Sequence, residues 1–208
     1  MTLPDGVERR TIDGRRVLAT RGEAIGHEAT ADGWRHWDPR RSKLAAIFER
    51  DIETGFTGGD TVLYLGAAAG TTTSHVADFT GPVYAIEFAA RPMRDLVDVA
   101  ADRPAIIPLL KDARRPETYA HVVEPVDIVV QDVATRDQAR VAIQNRRFLG
   151  GDGRLLLAVK ARSEDVTAAP ETVFDRVLST LKTEFEVLET ARLDPFHEDH
   201  LAVVARPR

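Results

Sequence analysis

The chain has 208 residues, 43% of them hydrophobic, with a formal net charge of -5. That length buries one sizeable core, not two full domains. The negative balance argues against an autonomous polyanion binder, so any nucleic-acid contact must be local or shared with partners. The sequence contains no cysteine, which excludes disulfides, a thiolate nucleophile and Cys-rich zinc sites. No apolar run approaches the roughly 20 residues of a membrane span, and MTLPDGVERR lacks the apolar stretch of a signal peptide, so a soluble, cytoplasmic protein without membrane partners is expected.

The segments 7–12 and 16–20 read as short strands around the turn signal Asp13-Gly14, so residues 1–34 are expected to form a small β-rich N-terminal region ahead of a main domain over 35–208. Ser42 is placed to cap a helix whose apolar positions Leu44, Ile47, Phe48 and Ile52 follow helical spacing, with Gly55 closing it. Short apolar β-type runs then alternate with helical segments, at 61–65, 83–86, 105–110, 126–131 and 154–159. Nearly continuous apolar strands separated by helices indicate a doubly wound α/β fold, a mostly parallel sheet covered on both faces. A helix is expected over 171–185. The two strand-like runs after it, 186–193 and 201–205, are joined by too short a loop for a helical crossover, so the last strand should run antiparallel.

The first of these strands leads into Gly66-Ala67-Ala68-Ala69-Gly70-Thr71-Thr72-Thr73, a loop of small residues opening a helix. Small residues let the backbone approach a ligand, and a helix start offers unpaired N–H groups. About twenty residues on, Glu87 ends the next strand, where a carboxylate can accept from ribose hydroxyls. Asp112, at the end of the third strand, can read an adenine edge together with the neighbouring N–H. The dinucleotide pattern G-x-G-x-x-G lacks its middle glycine here, since Gly66 and Gly70 enclose three alanines, which favours S-adenosylmethionine over a nicotinamide. A nicotinamide-dependent oxidoreductase on a related fold stays open as the rival.

Four polar residues fall at element ends: Lys43, Asp132, Lys160 and His200. Ligands of open α/β sheets bind beyond the carboxyl ends of the strands, and the start of an antiparallel last strand lies at that same edge, so the four can converge.

At this point the sequence resembles fibrillarin and its archaeal homologues. The resemblance is carried in order by Trp37-Asp38-Pro39-Arg40-Arg41-Ser42-Lys43, Tyr64-Leu65-Gly66-Ala67-Ala68-Ala69-Gly70-Thr71-Thr72, Val83-Tyr84-Ala85-Ile86-Glu87-Phe88, Asp112-Ala113-Arg114, Gln131-Asp132-Val133-Ala134 and Pro195-Phe196-His197-Glu198-Asp199-His200. It implies a seven-stranded methyltransferase fold and a Lys-Asp-Lys-His set on Lys43, Asp132, Lys160 and His200. Cofactor contacts are implied from Gly66, Ala67, Gly70, Thr71, Thr72, Glu87, Phe88, Asp112, Ala113, Asp132, Val133, Ala134 and Thr135. It further implies S-adenosylmethionine-dependent 2′-O-methylation of ribose in rRNA and tRNA, directed by a box C/D guide RNA. The partners would be a Nop-type scaffold protein and a kink-turn-binding ribosomal-type protein. Independently of the resemblance, the local basic cluster at Arg40 and Arg41 is a weak RNA contact, and no metal is expected. A methyltransferase acting on protein glutamine is the alternative within the same family. Where the family usually continues Asp-Val-Ala with Gln, this chain has Thr135-Arg136, and Asp137-Gln138 then resumes the pattern.

Methyl transfer to a hydroxyl needs alignment and a sink for the hydroxyl proton. An unperturbed lysine titrates near ~10.4, so Lys160 can serve as base only if burial beside Lys43 lowers its pKa against the pull of Asp132. Protonated, it would orient the hydroxyl instead, and the residues alone leave both roles open. His27, His36, His75 and His121 lack metal-ligand spacing and are assigned no role.

Overall fold

The computed structural model describes residues 2–208. Val7–Ile12 (β1) and Arg15–Arg21 (β2) form the expected antiparallel hairpin. Asp13 and Gly14 both take positive φ at its tip, the conformation that matches the right-handed twist of the flanking strands. Thr30–Ala31 (β3) and Trp34–His36 (β4) complete a four-stranded sheet in the order β1-β2-β4-β3, which therefore runs past position 34.

Helix α1 spans Lys43–Glu49, and the Ser42 hydroxyl accepts from the Ala45 N–H, as the cap reading requires. It ends earlier than the spacing suggested. Arg50 caps it, Asp51 turns into positive φ, and Gly55 lies in the loop beyond. Ile52 is buried from that loop, so its apolar character marks the core and not a further helical turn.

The main sheet consists of Val62–Leu65 (β5), Val83–Glu87 (β6), Ile106–Leu110 (β7), Val126–Gln131 (β8), Leu149–Lys160 (β9), Phe185–Arg192 (β10) and His200–Pro207 (β11). Its order is β10-β11-β9-β8-β5-β6-β7, and β11 runs antiparallel to both neighbours. Helices α2 (Thr71–Ala77) and α3 (Ala90–Ala101) join α1 on one face, while α4 (Gln138–Asn145) and α6 (Pro170–Leu181) lie on the other. A single turn, α5 (Ala161–Glu164), follows β9. Successive strand residues feed opposite cores: Val62 and Tyr64 pack with α1, Leu63 and Leu65 with α4 and α6. That two-sided burial is why these strands are apolar throughout. Helix α6 was expected to reach residue 185 but stops at Leu181. Phe174, Val177, Leu181 and Phe185 share one apolar stripe, yet Phe185 is buried as the first residue of β10, opposite Pro207. A strand's first inward residue can continue a helical stripe by coincidence of phase.

The small sheet is fastened to the main one by a buried polar network. Arg35 is fully buried; its Nε donates to Asp78 at 2.8 Å, Nη1 to Glu28 at 3.0 Å and Nη2 to the Ser74 hydroxyl at 3.0 Å. The Thr20 hydroxyl donates to Asp78 at 2.6 Å and lies 2.7 Å from Nδ1 of His75, whose ring stacks on Trp37. Ser74, His75 and Asp78 belong to α2 and its end, the helix that opens from the Gly66–Gly70 loop. No helix among the described residues is long and apolar enough to cross a membrane.

Removing one member of a buried charge network leaves its partners unpaired, which typically costs ~3–5 kcal/mol. Arg35→Leu is expected to lower unfolding stability by about that amount in urea titration, and a loss below ~1 kcal/mol would show that the network is not fastening the two sheets.

Candidate active site

Two strand ends meet at the centre of the sheet. Asp132 follows β8 and donates its N–H to the Leu65 carbonyl, the last residue of β5. Gly66 sits against it at φ +86, and a Cβ there would lie 2.6 Å from the Asp132 carbonyl oxygen. Only glycine combines that conformation with that proximity. The two backbones therefore touch where the strand order reverses, and the crevice of an open α/β sheet opens at this point.

That crevice has a volume of about 430 Å³, and its lining includes Gly66, Glu87, Phe88, Asp112, Ala113, Asp132, Val133, Ala134, Thr135 and Lys160. Ala67, Gly70, Thr71 and Thr72 are in the loop and helix start beside it. Both carboxylate oxygens of Glu87 are anchored, Oε2 by the Ala68 N–H at 2.9 Å and Oε1 by the Ala89 N–H at 2.7 Å. Ala68 holds a left-handed conformation under that bond. Each oxygen keeps a second lone pair for a ligand hydroxyl. Phe88 leaves 71% of its surface exposed at the crevice, an aromatic face available to a ligand. The residues thus suit a nucleoside: a two-oxygen carboxylate for ribose, a ring for stacking, and bare backbone at Gly66.

Beside this pocket lies the polar constellation. Lys160 Nζ approaches Asp132 Oδ1 at 2.8 Å and donates to the Asp132 carbonyl at 3.3 Å. Lys43, the first residue of α1, lies 3.4 Å from the same carboxylate. His200 pairs directly with Lys160 across β11 and β9, so all four predicted residues are brought together. Burial lowers the His200 pKa, and the charges of Lys43 and Lys160 add to the effect; burial and Lys43 act likewise on His197. Arg40 and Arg41 are exposed in the turn before α1.

Several residues of the site were not singled out from sequence. Gln138 grips Lys160 from both sides, its amide donating to the Lys160 carbonyl at 3.0 Å and its oxygen accepting the Lys160 N–H at 2.9 Å. The buried Gln131 in turn donates to the Gln138 carbonyl at 2.8 Å. His197 bonds the Pro39 carbonyl through Nε2 at 2.8 Å, tying the last loop to the segment ahead of α1. Arg114 forms a forked pair with Asp112, holding that carboxyl's pKa down. The ordered match Asp112-Ala113-Arg114 contained Arg114, and Gln138 stood where the family pattern resumes, but neither carries a signal of its own in hydropathy. His75, assigned no role, proves to be part of the buried network under α2.

A seven-stranded sheet of this order, with the crevice at its reversal point, defines the S-adenosylmethionine-dependent methyltransferase class. A model of the fibrillarin family matches residues 7–208. A fibrillarin-like rRNA/tRNA 2′-O-methyltransferase of Haloarcula marismortui is 65% identical over 208 residues, covering 100% of this chain and 99% of that protein. Among solved structures, a fibrillarin/Nop5p complex contains a chain similar at a TM-score of 0.92 and 37% identity, with 100% of both chains covered. Aeropyrum pernix fibrillarin with natively bound S-adenosyl-L-methionine aligns at 0.83 and 39% identity, covering 99% of this chain and 100% of that one. The chain belongs to the fibrillarin family. That placement turns the crevice away from the nicotinamide reading.

Gly66→Ala should strain the loop by ~1–3 kcal/mol, because alanine at this φ drives its methyl into the Asp132 carbonyl. Both urea stability and S-adenosylhomocysteine affinity are expected to fall. Unchanged affinity by calorimetry would dissociate the β5–β8 contact from the pocket.

Proposed function

We propose that this protein transfers a methyl group to ribose 2′-hydroxyls of rRNA and tRNA, as the catalytic subunit of a box C/D guide ribonucleoprotein. The observation that carries this reading is the Asp132 carboxylate bracketed by Lys160 at 2.8 Å and Lys43 at 3.4 Å, at the edge of a nucleoside-sized crevice. Family membership and the 65% identical rRNA/tRNA 2′-O-methyltransferase relative support it. When bound, S-adenosylmethionine supplies a methyl group on a sulfonium sulfur. Glu87 would hold the ribose hydroxyls of that cofactor, Asp112 and the backbone of Ala113 would meet its base, and Phe88 would offer it a ring. Gly66, Ala67, Gly70, Thr71 and Thr72 shape the loop around it, and Val133, Ala134 and Thr135 form the opposite wall.

Lys160 orients the attacking hydroxyl. An ammonium group has three donors; one bonds the Asp132 carbonyl at 3.3 Å, the charge is paired with the Asp132 carboxylate at 2.8 Å, and donor capacity remains for an incoming oxygen. Asp132 keeps both lysines in place, and Lys43 adds positive charge where the hydroxyl oxygen becomes negative. Arg40 and Arg41 lie exposed beside Lys43 for contact with the RNA strand.

The partner reading rests on the fibrillarin/Nop5p complex and on charge. RNA affinity grows with the number of phosphates neutralised, and a net charge of -5 leaves only local basic clusters. A guide RNA, a Nop-type scaffold and a kink-turn-binding ribosomal-type protein therefore supply target affinity and site choice. Within the assembly the chemistry falls to this chain.

Lys160→Ala and Asp132→Ala are each expected to abolish methyl transfer to guided RNA while circular dichroism stays native, since the site opens to water that can solvate the freed partner. Comparable activity in either folded variant removes that residue from the catalytic set.

Glu87→Ala should weaken S-adenosylhomocysteine binding by about 1.5–3 kcal/mol, the range for hydrogen bonds to a charged group, with added loss from the freed Ala68 loop. A titration giving the wild-type dissociation constant would place the cofactor elsewhere.

In a tritium methyl-transfer assay, the isolated chain is expected to modify target RNA poorly until guide RNA and partner proteins are added. Efficient, site-specific transfer to naked RNA would contradict this division of labour.

A further inference from the structure

We infer that Gln138 and Glu164 are positioning residues for methyl transfer, a two-sided clamp that fixes the backbone of Lys160 to the loop after β8 and so sets where its ammonium group stands. The inference rests on the function proposed above and adds to it two residues that do not line the crevice.

The need for a clamp arises in the sheet. Strand β8 pairs with β9 as far as Gln131, opposite Leu157, and the chain then leaves the ladder at Asp132. Lys160 lies further along β9, where β8 no longer offers backbone partners. The next residue, Ala161, turns its N–H to the β11 side, toward the Asp199 carbonyl at 3.1 Å. The N–H and carbonyl of Lys160 point to the vacated β8 side, and each needs a partner.

The Gln138 side chain provides both. Its oxygen accepts the Lys160 N–H at 2.9 Å, and its nitrogen donates to the Lys160 carbonyl at 3.0 Å. A primary amide carries the same donor and acceptor as a peptide group, so Gln138 acts as one more rung of β8. Only one orientation of the amide serves, because the N–H can only donate and the carbonyl only accept. Gln138 is fully buried, so a side chain without this pair of groups leaves two backbone groups of Lys160 without their partner.

Gln138 is fixed in turn. Gln131 donates to its carbonyl at 2.8 Å. Glu164, at the end of α5, accepts from the N–H of Gln138 at 2.5 Å and from that of Asp137 at 2.9 Å. These are donors that a helix start leaves unpaired, and Asp137 supplies no side-chain cap of its own. The helix dipole further favours a carboxylate there. The tie therefore runs in both directions, from α4 to the end of β9 and from α5 back to the start of α4. Lys160 Nζ reaches Asp132 at 2.8 Å from the backbone so fixed. A displacement of ~1 Å at a reacting group can cost ~10²-fold in rate, which is the scale of what the clamp protects.

Two measurements decide it. In single-turnover methyl transfer by the full assembly, Gln138→Met, similar in size but without the amide, should lose ~10–10²-fold in rate at saturating RNA, with the half-saturating RNA concentration unchanged. Glu164→Gln keeps an acceptor for one N–H and loses the charge, so it should lose less, in the same direction. Side-chain ammonium spectra of the chain labelled with nitrogen-15 lysine read the position itself. The sequence holds four lysines, Lys43, Lys111, Lys160 and Lys182, so Lys160→Arg assigns the signal. It should shift and exchange faster with water in Gln138→Met, while the Lys182 signal stays in place. A folded Gln138→Met with the wild-type rate, or with a loss confined to RNA affinity, overturns the proposal, and so does an unmoved Lys160 signal. If Gln138→Met does not fold by circular dichroism, Glu164→Gln replaces it in both measurements and the same results overturn the proposal. No transfer by the wild-type assembly on any guided ribose removes the underlying function, and the Lys160 signal then still decides whether the clamp positions the ammonium.

Discussion

The Asp132 carboxylate is the tie on which the site depends. Lys43 comes from the start of α1 and Lys160 from the end of β9, segments more than a hundred residues apart, and one carboxylate at the end of β8 holds both. Two ammonium groups would otherwise repel across the partly exposed cleft edge. The interaction of unit charges ~4 Å apart is worth about 4 kcal/mol at an effective dielectric constant near 20, and Asp132 sets two such attractions against the single repulsion between the lysines. Asp132 is itself fixed through its backbone, by the Leu65 carbonyl and by contact with Gly66. Catalytic side chains and cofactor loop thus share one mechanical origin, the junction of β5 and β8.

The small N-terminal sheet has a role in that arrangement. Its Thr20 and Arg35 bind Ser74, His75 and Asp78, so the sheet braces α2 from behind. The opposite end of α2 is the Gly66–Gly70 loop. Trp37, packed among His75, Phe48 and Phe79, carries the same bracing toward α1 and therefore toward Lys43. A region without a residue in the crevice thus backs the helix that opens from the Gly66–Gly70 loop and the helix that begins at Lys43.

Charge distribution separates chemistry from recognition. Lys43, Lys160 and two histidines gather at one point of a molecule whose total is negative, while Arg40 and Arg41 stand alone in the adjoining turn. Such a surface is suited to presenting a strand already held by other components. The Gln131–Gln138 relay beneath Lys160 uses neutral groups, which position the backbone of the lysine without altering the balance of charge above it.

The doubly wound sheet, the hairpin, the Ser42 cap and the antiparallel last strand were legible in the residues alone. Two-sided burial and turn chemistry are written in local residue patterns, and ordered motifs placed Lys43, Asp132, Lys160 and His200 at strand and helix ends. Periodicity misplaced the ends of α1 and α6, because Ile52 and Phe185 are apolar for the sake of the core and not of the helix. The folded chain alone shows that Gln138 holds Lys160, that Arg114 covers Asp112, and that His200 Nδ1 meets the Glu198 carbonyl. These contacts join residues through backbone carbonyls, amides and exposed charges, whose chemistry is the same at every position of a chain. What distinguishes them is direction and distance, and those exist once the strands are in register.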